Sequence, residues 1–159
     1  MTEDIASNII NRMLACVMDT DVIVAAFRSN NGASRRVLDA ALARRFNLLL
    51  SVPLMLEYES VLSRPEHLAA SGVGIKDVTD VLDELAIVAT RVKLLVRMRP
   101  ILRDPNDEMV LETAINGRAD AIVTFNDRDF KPAAGLFRCL ALRPGQIVRK
   151  LEAEKGVRL

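Results

Sequence analysis

Short apolar runs alternate along this chain with stretches of helical length and period, and four of the runs deliver carboxylates just past their ends. The runs cover 14–18, 46–52, 91–96 and 121–125, with a shorter one over 137–142. An unbroken apolar run bounded by turn signals reads as a strand buried on both faces, which is the habit of parallel sheets. The stretches between them carry apolar side chains at helical spacing. These are Val22–Phe27, Ser34–Arg45, Leu54–Leu62, Lys76–Ala89 and Asn106–Asn116, and Pro144-Gly145 turns into a further helix. Ala69 to Gly74 reads as a flexible connector. This order predicts one three-layer α/β/α domain around a central parallel sheet of four or five strands. It spans 14–145, with 1–13 as an N-terminal extension and 146–159 as a C-terminal helix or tail.

The carboxylates follow a pattern. Asp19 and Asp21 come after the first run, Glu57 after the second, Asp104 and Asp107 after the third, and Asp127 and Asp129 after the fourth. In an open α/β sheet the carboxyl ends of the strands face the ligand crevice. Acidic side chains from four segments therefore converge, and mutual repulsion makes such a cluster costly unless a cation sits in it. A divalent-metal site resolves the conflict. Asp19 stands where an apolar strand stops, so its carboxylate reads as a ligand before it reads as a cap. Asp21 reads equally as a cap and as a ligand. Glu57 shares a helix face with Leu54 and Val61, and a buried Glu calls for a partner or a metal. Asp107 opens its helix above Val110, Leu111 and Ala114, where the helix dipole also favours it. Asp104 reads as a turn or cap residue, and Asp127 rivals Asp129 by proximity. Ser51, Thr124 and Asn126 are strand-end groups suited to orienting the carboxylates or a water.

Composition excludes several alternatives. Half the residues are hydrophobic, so the chain is not mainly disordered. No apolar run approaches the roughly 20 residues that span a bilayer, and no signal peptide is expected before the first run. Cys16 and Cys139 lie in apolar segments without paired spacing, which reads as buried reduced thiols in a cytoplasmic protein. The lone histidine, His67, follows Arg-Pro in a loop and is assigned no role, so Ser-His-Asp and Cys-His chemistry cannot be assembled. One Tyr and five Phe argue against an aromatic stacking platform. Of the 22 cationic side chains 17 are arginine, a mild bias toward phosphate. Arg28, Arg35, Arg103 and Arg128 are rim candidates by position.

The pattern as a whole resembles the PIN-domain nucleases, and within them the VapC-like toxin branch. The residues that carry the resemblance are Met18-Asp19-Thr20, Ser51 with Glu57, Asp107 with Ala114, and Val123 through Phe130. The Asp104-Pro105-Asn106-Asp107 opening and the stretch from Glu57-Tyr58 to Arg64-Pro65 are similar to a subfamily of toxin components. The likeness covers about 14–145. It implies an acidic quartet of Asp19, Glu57, Asp107 and Asp129, a Mg²⁺- or Mn²⁺-dependent ribonuclease, a small antitoxin partner and a homodimer. One departure is Asp21, where the family usually carries Asn. Two rival readings remain open here. Asp19-Thr20-Asp21-Val22 also resembles the nucleophile motif of haloacid-dehalogenase-like phosphatases, with Asp19 phosphorylated and Asp21 as acid/base. The other is a non-catalytic module that keeps the fold to bind RNA or regulate.

Overall fold

A computed structural model describes residues 12–97 and 104–157. Arg103 and most of the N-terminal extension, drawn into the expectations above, lie outside the described residues. Five strands form one parallel sheet: β1 (Ala15–Met18), β2 (Asn47–Leu50), β3 (Thr90–Arg91), β4 (Ala121–Val123) and β5 (Leu140–Leu142). Their spatial order is β3-β2-β1-β4-β5, so the chain winds one way from β1 and then reverses between β1 and β4. The register there pairs Cys16 with Ala121, Val17 with Ile122 and Met18 with Val123. The three-layer α/β prediction is met.

The helices follow the expected order. They are α1 (Thr20–Arg28), α2 (Ala33–Leu42), α3 (Val52–Leu62), α4 (Pro65–Ser71), α5 (Ile75–Val88), α6 (Pro105–Asn116), α7 (Asp127–Gly135) and α8 (Pro144–Val157). Prolines stand in the first turn of α3 and α6, where their fixed φ suits the helix and no amide is wasted. The central strands β1 and β4 are buried on both faces: Cys16, Val17, Met18, Ala121, Ile122 and Val123 are wholly inaccessible. Gly117, after α6, permits a close approach. A Cβ there would lie 2.8 Å from Val92 and 2.9 Å from Leu49, so a larger residue would push α6 off the sheet. The C-terminal helix belongs to this core, because Ile147, Val148 and Leu151 are buried in it.

Three expectations need correction. The loop expected to hold His67 and the connector over 69–74 are in part helix: α4 contains His67 and runs through Ser71, and Gly72 ends it with a left-handed φ of 72°. The segment 127–135, given no element, is α7. The third strand, expected over 91–96, ends at Arg91. Val92 still donates to the Leu50 carbonyl, but beyond it the chain peels away. Asn116 holds it there, its Oδ1 accepting from the amides of Leu95 and Val96 and its Nδ2 donating to the Val96 carbonyl.

Candidate functional site

The reversal of strand order between β1 and β4 opens a crevice at their carboxyl ends, the expected ligand position in an open α/β sheet. Asp19 follows β1 directly. Its amide donates to the Val123 carbonyl at 2.9 Å, which extends the β1–β4 ladder by one bond and fixes the backbone. Its carboxylate is nearly buried and caps nothing, although Asp19 is the N-cap of α1. Instead Oδ2 accepts a hydrogen bond of 2.7 Å from the hydroxyl of Thr124, at the end of β4. Burial, then repulsion from Asp21, pushes the Asp19 carboxyl up to about 7. Asp21, one turn into α1, is likewise raised by burial, against lowering contacts from Asp19 and the Phe125 amide. Asp21 Oδ1 is buried and has no hydrogen-bond partner among the described residues.

One residue ties the remaining aspartates to this pair. The Asn126 amide donates to Thr124 Oγ1 at 2.9 Å, while its side-chain Nδ2 donates to Asp129 Oδ2 at 3.0 Å and more weakly to Asp107 Oδ2 at 3.4 Å. With the Asn126 amide donating to it, the Thr124 hydroxyl passes its own proton to Asp19, so the direction of the chain is fixed. Asp107, in the first turn of α6, is pushed up to about 6 by burial and then by Asp19, Asp104 and Asp129. Asp104 is the N-cap of α6, accepting from the Asn106 amide at 2.9 Å, as expected of a turn residue.

Asp127 and Asp129 differ in their partners. Despite some desolvation, the Arg143 guanidinium and Lys131 ammonium hold Asp127 below its ordinary range, each at 3.4 Å. Asp129 is the one that Asn126 joins to Asp107. Glu57 is half-buried on α3, beside the buried Leu54 and Tyr58, and no hydrogen bond joins it to Asp19, Asp21, Asp107 or Asp129. Ser51 is occupied with structure: its Oγ accepts from the Leu54 amide and is bonded to Thr113 at 2.7 Å, tying α3 to α6. Among the rim arginines, Arg28 contacts His67 at 2.8 Å and Arg35 pairs with Asp39.

Sequence reading missed two features. Tyr58, taken as a core residue, donates its buried hydroxyl to the Met18 carbonyl immediately before Asp19. Burial, with Asp19 and Asp21 nearby, raises that phenol further. The other is a cleft of about 620 Å³ beside the crevice, whose walls include Phe125, Asp127, Arg143 and Arg149. A buried Tyr on a helix stripe gives no signal beyond packing, and Arg149 comes from a segment read only as tail.

The donor set suits a hard divalent cation: carboxylate oxygens, one of them buried and unpartnered among the described residues. Among the described residues no three His, Cys, Asp or Glu side chains already close on one point. Cys16 and Cys139 are free and buried, and burial raises both thiols. No described helix is long and apolar enough to cross a membrane.

Residues 15–128 match the sequence model of the PIN domain. No curated protein gives a significant match. The matched segment takes in Asp19, Glu57, Asp107, Thr124 and Asn126, and the match displaces the phosphatase reading of Asp19-Thr20-Asp21.

Proposed function

Because this chain belongs to the PIN-domain family, whose members are generally nucleases, we propose that it is a Mg²⁺- or Mn²⁺-dependent ribonuclease. The observation that carries the reading is the buried neighbouring pair Asp19–Asp21 at the β1–β4 switch point, with Asp107 within electrostatic reach. Like charges this close persist in a folded protein when something positive uses them. PIN-domain nucleases typically use divalent ions. Here Asp19 would hold the ion directly, with Asp21, Asp107, Asp129 and Glu57 forming the acidic rim that its retained waters would reach. When bound, such an ion supplies Lewis acidity for phosphodiester hydrolysis.

The chain's own residues prepare that chemistry. Thr124 keeps Oδ2 of Asp19 as an acceptor and so leaves the other oxygen for the ligand. Asn126 spends both hydrogens of its amide on Asp107 and Asp129 and aligns them. Tyr58 anchors the backbone that presents Asp19. Arginine side chains near the rim would hold the RNA backbone through its phosphates.

We assign the protein further to the toxin side of a toxin–antitoxin pair, working as a homodimer. Support comes from sequence resemblance and from apolar surface: Val52 and Leu56 of α3, Ile75 and Ile87 of α5, and Leu95 with Val96 are all about half exposed or more. An antitoxin segment lying over the crevice would present Arg or Lys to the carboxylates and compete with the metal.

The direct experiment incubates a single-stranded RNA oligonucleotide with purified protein, with Mg²⁺ or Mn²⁺ and with chelator, beside a chromogenic phosphate monoester. Cleavage of RNA only with metal, and an untouched monoester, is the expected result. Monoester turnover without RNA cleavage would restore the phosphatase. RNA binding without cleavage under any metal would leave only a binding module.

A further inference from the structure

The cleft beside the crevice is built for an anion. It lies between the end of α1, the start of α2 and the start of α8, and Phe125 and Asp127 in its wall flank Asn126, which holds Asp107 and Asp129. Two helix N-termini open into it, one through Gly32, Ala33 and Ser34 and the other through Pro144, Gly145 and Gln146. Gly32 is the N-cap of α2 and supplies no side-chain acceptor, so the first amides of that helix carry no cap. A Cβ at Gly32 would stand 3.3 Å from Ser29 Oγ, a tight approach that a small shift of that side chain would relieve.

A helix start alone is not a site, but here other groups agree with it. Ser34 is only 5% exposed, faces the cleft, and its hydroxyl has no hydrogen-bond partner among the described residues. Arg149 lies along the cleft, its guanidinium 4.0 Å from where a Cβ on Gly145 would be, and has no ion-pair partner among the described residues. Arg143 donates to the Phe125 carbonyl at 3.1 Å and leans on Asp127. The single carboxylate present, Asp127, is answered by both Arg143 and Lys131. What remains is surplus positive charge, uncapped amides and an unpartnered hydroxyl, together with a two-fifths exposed Phe125. That is the chemistry of a phosphate with a base beside it.

We propose that this cleft is a backbone-phosphate subsite for the nucleic-acid strand being cut. One phosphate sits against Arg149, Ser34 and the amides of α2, and the neighbouring base rests on Phe125. The strand then passes over Asn126 to the carboxylates. This rests on the nuclease reading for the identity of the strand but not for the binding itself. A single strand is favoured over a duplex because Phe125 can stack only a base that is already unpaired.

The test measures binding of a labelled single-stranded RNA by fluorescence anisotropy in chelator, so that cleavage is not needed. Arg149→Gln is expected to weaken binding about three- to tenfold and Arg149→Glu further, with the slope of log Kd against log salt reduced by about 0.7. Arg149→Lys should recover part of the loss, and Lys76→Gln, outside the cleft, should stay within about twofold. With Mg²⁺ present, Arg149→Gln should raise KM and leave kcat near wild type. Wild-type affinity and salt slope in Arg149→Glu would overturn the subsite even if RNA is cleaved. Weakened binding in a protein that never cleaves would keep the subsite and remove the nuclease reading instead.

Discussion

The hydroxyl of Thr124 donates to Asp19 Oδ2 at 2.7 Å, joining the ends of β4 and β1 across the point where the strand order reverses. The same hydroxyl accepts from the Asn126 amide, so one buried side chain links the Asp19–Asp21 pair to Asp107 and Asp129. Thr124→Val keeps the shape and removes the link. It should lower RNA cleavage about 10- to 100-fold, the scale for losing a group that orients a ligand. Thr124→Ser should restore most of it. Unchanged rates in the valine variant would mean that Thr124 only packs.

The metal-free protein should prefer mildly acid pH. Asp19 is raised to about 7 and Asp107 to about 6, so both bind protons in the folded state that an unfolded chain has already released. A carboxyl shifted upward stabilises the fold when protonated, and that contribution drains away as pH rises. Thermal stability in chelator should therefore fall between about pH 4 and 7 and level off above, by roughly 1–3 kcal/mol for a shift of this kind. Added Mg²⁺ should flatten the slope by favouring the ionised form. Stability rising through that window in the absence of metal would show that the cluster is not strained.

Tyr58→Phe tests the support beneath Asp19. Removing the hydroxyl leaves the Met18 carbonyl buried without that donor, which costs about 1–3 kcal/mol. Denaturant melts should report that loss, with RNA cleavage reduced less than in Thr124→Val because no carboxylate loses a partner. A variant as stable as wild type would show that the bond contributes nothing.

Oligomeric state offers a separate check. The exposed Val52, Leu56, Ile87, Leu95 and Val96 supply apolar surface for a two-fold contact. Light scattering at high micromolar concentration should give a dimer, and Ile87→Glu should shift it toward monomer. A wild-type monomer at that concentration would remove the dimer from the account.

Much of this was legible in the sequence because parallel strands declare themselves as unbroken apolar runs. Leu48-Leu49-Leu50 and Ala121-Ile122-Val123 could hardly be anything else, and each is buried as expected. What stayed hidden has physical causes. Helix α4 has no buried residue, so no apolar stripe marks it. In α7, Pro132 interrupts the pattern from inside the helix. Leu94-Leu95-Val96 continues the apolar run of the third strand, yet Asn116 draws that backbone off the sheet, a tertiary contact that periodicity does not report. At the site, strand ends announced Asp19, Asp107 and Asp129. The connecting roles of Thr124 and Asn126 could be suspected from position but not their bonds, and Arg149 reaches the cleft from beyond the expected domain.

The central claim is that the aspartates gathered at the β1–β4 switch point perform metal-dependent cleavage of RNA. The measurement that tests it most directly compares cleavage of one single-stranded RNA by wild type, Asp19→Asn and Asp107→Asn, purified in parallel and assayed with Mg²⁺. Each substitution removes a charge from a repelling cluster, so both variants should be folded and at least as stable as wild type without metal. The account predicts that both lose all measurable cleavage, while Asp21→Asn, the residue usual in the family, keeps a detectable rate. Full activity in either folded Asp19→Asn or Asp107→Asn would contradict it.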